Sequence, residues 1–71
     1  MTTTTDLKEI ARAGGGLSLD AKAFTTTDLK EIGRAASTSG AMVVLRNSSS
    51  KTTTDLKEIA RTSPGKWVFE L

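Results

Sequence analysis

Cysteine and histidine are both absent from this sequence, so its side-chain chemistry is limited to carboxylates, amines and hydroxyls. That excludes thiolate nucleophiles, imidazole acid–base catalysis, disulfide staples and the usual zinc ligands. Of the eight acidic residues, six are the Asp and Glu of one phrase, TTTDLKEI, found at Thr3–Ile10, Thr25–Ile32 and Thr52–Ile59. A carboxylate written into every repeat points to a structural duty rather than to one half of an acid–base pair. No serine has a visible general base. The sequence predicts no enzyme, no catalytic residue, no cofactor and no metal site.

Two further features resemble anion sites. The triglycine Gly14–Gly16 follows a predicted helix and precedes a predicted strand, whereas a phosphate-cradling loop needs the reverse order so that helix amides face the ligand. It reads as a helix stop and tight turn. The Thr clusters at 25–27 and 52–54 do lie between strand and helix, but Asp28 and Asp55 already occupy those helix ends. Lys8, Lys30 and Lys57 are expected in solvent, as are Arg12, Arg34 and Arg61, which could pair with the Glu three residues before each. Trp67 and Phe69 are expected in the core of the last strand.

The phrase itself is a helix signal. Leu29, Ile32, Gly33 and Ala36 fall on one helical stripe, and Leu7, Ile10, Ala11 and Leu56, Ile59, Ala60 repeat it. Thr3 and Asp6, Thr25 and Asp28, and Thr52 and Asp55 stand three apart, the spacing of a capping box. Arg in each last turn suits the negative end of the helix dipole. Behind each helix comes a glycine-containing stop and a short β-prone run: GGGLSLDA (Gly14–Ala21), SGAMVVLRN (Ser39–Asn47) and PGKWVFEL (Pro64–Leu71). Strands joined by helices run parallel.

Aligning the strands on their glycines makes Leu17, Val43 and Trp67 neighbours, then Leu19, Leu45 and Phe69, then Ala21, Asn47 and Leu71. This set is mostly apolar, as a helix-covered face should be. The opposite set, Ser18, Val44, Val68 and then Asp20, Arg46, Glu70, is mixed and alternates in charge. The expected fold class is therefore α/β: three helix–strand repeats (about 3–21, 25–47 and 52–71) in a single domain, 1–71. They form an open, parallel, three-stranded sheet with helices on one face, an uncapped solenoid.

The bulk properties suit such a chain. A net charge of +2, with basic residues spread through the repeats, gives no electrostatic footprint for nucleic acid. No signal peptide is visible after Met1, and Ala41–Leu45, the longest strongly apolar stretch, is far too short to span a bilayer. A soluble cytoplasmic protein with no membrane partner is expected. At 71 residues the chain is near the lower size limit for folding alone, and assembly with copies of itself is a natural remedy.

One strand plus one helix per unit, spaced 22 residues (Asp6 to Asp28) and 27 residues (Asp28 to Asp55), resembles the leucine-rich-repeat-like β/α solenoids. The resemblance covers the chain in unit length and layering. It implies an architecture and no binding residues, because the L-x-x-L-x-L-x-x-N signature is missing and VVLRN (Val43–Asn47) only grazes it. A second stretch, Thr27–Ser50, resembles the helix-turn-helix of LacI-type repressors, which implies a recognition helix at Ser39–Asn47 and DNA as partner. Against it stand an overlong turn and the β-prone MVVL.

Carried across the termini, from Asp55 through Leu71 to the Asp6 of another copy, the spacing is again 22. A second copy is thus expected to dock in phase, giving rings or filaments by head-to-tail contact. The leading expectation is a self-assembling structural or scaffold protein whose interface uses Leu7, Ile10, Leu17, Leu19, Trp67, Phe69 and Leu71. The alternatives are a small protein-binding module using the open sheet face and the DNA-binding reading above.

Overall fold

Each Thr that opens the repeated phrase on the sequence reading is a helix cap in the fold. The computed structural model describes residues 3–71. Helices α1 (Thr4–Arg12), α2 (Thr26–Ser37) and α3 (Thr53–Thr62) start after Thr3, Thr25 and Thr52, whose extended backbones end the preceding segment. The hydroxyl of each accepts the N–H of Asp6 (3.2 Å), Asp28 (3.1 Å) or Asp55 (3.1 Å), satisfying an amide that the helix leaves without a partner. Among the described residues the return bond of a full capping box forms in α1 only, from the Thr3 N–H to Asp6 Oδ2 at 3.4 Å.

Strands β1 (Leu17–Asp20), β2 (Val43–Arg46) and β3 (Trp67–Phe69) form one open, parallel sheet in the order β1-β2-β3. The register pairs Leu17 with Val43 and Trp67, and Leu19 with Leu45 and Phe69. These side chains, with Leu7, Ala11, Leu29, Ile32, Ala35, Ala36 and Ile59 from the helices, make the core. Val43, Leu45, Leu29, Ile32 and Ile59 are fully buried. On the opposite face Ser18 and Val68 are exposed and Val44 is half-buried. Helix α2 packs between α1 and α3, in the same order as the strands.

The third row of the expected alignment does not form. The strands stop at Asp20 and Arg46, and a short 3-10 turn follows each, Ala21–Ala23 and Ser48–Ser50. Ala21 is fully buried, but Asn47 is exposed with a left-handed φ of 57°, and Leu71 is 87% exposed. The buried place of Ala21 is taken in the second unit by Ser48, whose hydroxyl donates to the Leu45 carbonyl at 2.6 Å. Its N–H donates to the Glu70 carbonyl at 3.0 Å. Asn47 is therefore one extra residue, and Asn tolerates the left-handed conformation that its insertion demands.

Segment Ser39–Asn47 is turn and strand, not helix. The recognition helix implied by the repressor-like resemblance is absent, because β-branched Val43 and Val44 sit at the centre of a parallel ladder. No helix of the described residues is long and apolar enough to cross a membrane.

Candidate functional site

The informative geometry lies at the two ends of the stack, where identical residues find different surroundings. Ile32 and Ile59 are fully buried, whereas the equivalent Ile10 is 43% exposed. Ile is thus covered in the two units that have a preceding unit and uncovered in the one that lacks it. The Leu of the phrase behaves in the opposite sense. Leu7 and Leu29 are buried and have a following unit, while Leu56, which has none, is half-buried. Ala11 and Gly33 are buried where Ala60 is half-buried. Each helix therefore presents its Ile to the unit before and its Leu and Ala to the unit after.

This divides the sequence-predicted interface. Leu7, Leu19 and Trp67 are buried within the chain, at 7%, 5% and 9% exposure, and belong to its own core. Leu17 and Phe69 are half-buried at opposite sheet edges, and Ile10 and Leu71 are exposed. The Trp67 and Phe69 rings stack with centroids 6.0 Å apart. Trp67 is further fixed by its Nε1–H, which donates to Thr62 Oγ1 at 3.3 Å. Sequence reasoning missed Leu56 and Ala60. Their position in the phrase equals that of buried residues elsewhere, so only the absence of a following helix distinguishes them.

Backbone groups are also uncovered at both edges. Leu17 N–H donates to the Met42 carbonyl and Val43 N–H to the Lys66 carbonyl, at 3.0 and 2.9 Å. Bonds alternate sides along a parallel strand. The N–H and C=O groups of Ser18 and Asp20 on β1, and of Trp67 and Phe69 on β3, therefore face away from the sheet. Such edges are templates for a further strand.

The charges of the phrase pair across helices and not along them. Lys8 Nζ lies 3.4 Å from Glu31 Oε1, and Lys30 Nζ lies 3.5 Å from Glu58 Oε1. Arg12, Arg34 and Arg61 are exposed as expected, and among the described residues the Arg–Glu pairs open to them within each helix do not form; Lys8 and Lys30 are not merely solvated. The Lys of one unit instead reaches the Glu of the next, because neighbouring helices pack closely enough for that reach. Each pair lines a shallow groove of about 320 Å³, with Arg12 and Arg34 in the first and Arg34 and Arg61 in the second.

On the open face, Asp20 is opposite Arg46. Its carboxylate accepts the Asn47 side-chain amide at 3.0 Å and the Lys22 N–H at 2.9 Å. These two bonds, the Asn47 amide first, hold the Asp20 carboxyl below the usual carboxylate range, with help from the Arg46 and Lys22 charges. Among the described residues no three acidic side chains gather as metal ligands would.

No family model, curated protein or solved structure matches this chain.

Proposed function

We propose that this protein is a non-enzymatic self-assembling structural protein, in which copies stack head to tail as a leucine-rich-repeat-like β/α array. The observation that carries the reading is the exposure of Ile10, 43% against zero for its equivalents Ile32 and Ile59. An apolar position that is buried at every internal junction is exposed at one end, and Leu56 and Ala60, whose equivalents Leu7, Ala11, Leu29 and Gly33 are buried, are only half-buried at the other. The two ends are complementary because they are the two halves of the same junction. Such a contact is heterologous, so it propagates into rings or filaments. Three units are also about the minimum for a stable array, and a fourth supplied by another copy would extend the core.

The internal register supplies the register of the contact. Trp67 of one copy would neighbour Leu17 of the next, and Phe69 would neighbour Leu19, placing residues 5–21 of one copy against residues 55–71 of another. The outward backbone groups of β3 and β1 would then complete a ladder.

Size-exclusion chromatography with light scattering, followed by negative-stain microscopy, tests the reading. The wild-type protein should give species much larger than its 7.5 kDa monomer. Ile10→Glu should return it to monomers with unchanged helicity by circular dichroism, since an ion would be buried without a partner only in the assembly. A wild-type chain that stays monomeric at millimolar concentration overturns the proposal and favours a binding module that uses the open sheet face.

A further inference from the structure

The Lys–Glu pairs fix a direction. Lys8 of the first unit holds Glu31 of the second, and Lys30 of the second holds Glu58 of the third. The series uses a Lys on the leading side of each junction and a Glu on the trailing side. Two members remain: Glu9, the Glu of the first unit, and Lys57, the Lys of the third. Both are exposed, and neither forms an ion pair among the described residues. They are of opposite charge and stand on α1 and α3, the two helices that α2 separates.

We infer that Lys57 of one copy pairs with Glu9 of the next, and that this pair sets the polarity and register of the stack. The inference rests on the head-to-tail reading above and names the charge contact within it. The partner is a second copy because its end face carries the complement in the geometry already built twice inside the chain. The surroundings repeat as well. Internal grooves hold a Lys and an Arg from one unit and a Glu and an Arg from the next. At the copy-to-copy junction the corresponding set is Lys57 and Arg61 against Glu9 and Arg12. The single carboxylate offsets one of the three cations, as Glu31 and Glu58 do in the internal grooves. A reversed, like-to-like docking of two α3 faces would bring only cations together, Lys57 and Arg61 from each copy.

Exposed ion pairs add little stability of their own. Their effect on association is discrimination, because like charges brought together at a junction are strongly disfavoured. Glu9→Lys should therefore act on assembly and not on folding: it would place four cations in the junction groove. Its association should weaken by at least about tenfold, with the helical circular dichroism of the wild type. Glu9→Gln, which introduces no repulsion, should weaken association by a smaller factor. The double variant E9K/K57E restores one carboxylate among three cations with the pair reversed, and should recover large species in light scattering. Assembly of E9K equal to that of the wild type would overturn the pairing while leaving head-to-tail stacking in place. Failure of E9K/K57E to recover where E9K is folded and monomeric would overturn it equally. A monomeric wild type would instead remove the stacking itself.

Discussion

Gly33 and Thr62 meet where α2 faces the last turn of α3, and no room is left between them for a methyl group. A Cβ at position 33 would overlap the Thr62 hydroxyl, and would stand 2.9 Å from Thr62 Cβ and 3.0 Å from Trp67 Nε1. The phrase has Ala at this place in the other two helices, Ala11 and Ala60. The one departure in the apolar stripe thus falls where the neighbouring unit comes closest.

Gly33→Ala should accordingly lower stability. Helix propensity alone favours Ala by about 1 kcal/mol, but overpacking costs about 1–3 kcal/mol. Thr62 cannot turn aside freely, since its hydroxyl donates to the Ile59 carbonyl at 2.6 Å and accepts from Trp67. Urea melts followed by Trp67 fluorescence measure the effect. A stabilised variant would mean that α3 yields without cost.

The helix caps give a positional test. Thr25→Ala and Thr52→Ala should each cost about 1 kcal/mol, because the Asp28 and Asp55 amides lose their acceptors. Thr26→Ala, already inside α2, should cost clearly less in the same thermal melts. A larger loss at position 26 would move the helix start.

The two faces of the sheet should respond differently to truncation. Leu45 is fully buried and Leu19 is 5% exposed, so Leu45→Ala and Leu19→Ala should each cost about 2–5 kcal/mol. Val44→Thr on the half-covered face should stay below about 1 kcal/mol. Equal losses at 44 and 45 in denaturant titrations would mean that the open face is also packed.

Acid should act through Asp20. Its carboxyl titrates below the ordinary 3.8 because the charged form accepts from Asn47 and Lys22. A depressed folded value means that the contribution is complete above the ordinary carboxylate range and lost as pH falls through the depressed value. Carboxyl-carbon NMR should place the Asp20 midpoint below 3.8, and Asn47→Ala should move it upward. An unchanged midpoint in that variant would remove the assigned cause.

Much of this architecture is legible in the sequence because it is written in short-range spacing. Thr and Asp three apart mark the caps, and the glycines before each strand align Leu19, Leu45 and Phe69 as the ladder does. What depends on neighbouring units is not legible. Nothing local tells Ile10 from Ile32, since their flanks are nearly the same and only a preceding helix separates exposed from buried. The Lys8–Glu31 and Lys30–Glu58 pairs likewise depend on how helices sit side by side, whereas spacing along one helix offers only Arg–Glu pairs. The strand ends are not legible for another reason. Asn47 adds one residue between strand and turn, and its left-handed backbone has no signature in an apolar/polar pattern.

That extra residue has a consequence for how such a chain can vary. Strand partners Leu19 and Leu45 are separated by 26 residues, and the buried turn residues Ala21 and Ser48 by 27. The helices differ too, with nine, twelve and ten residues in α1, α2 and α3. The ladder nevertheless holds one register throughout. Length changes are absorbed at corners, in the left-handed residue after a strand or the last turn of a helix, and do not propagate into the pairing. Insertions at these corners should be tolerated where an insertion inside Val43–Arg46 would transfer every later side chain to the wrong face. Evolution or an engineer can therefore lengthen a unit without renegotiating its neighbours.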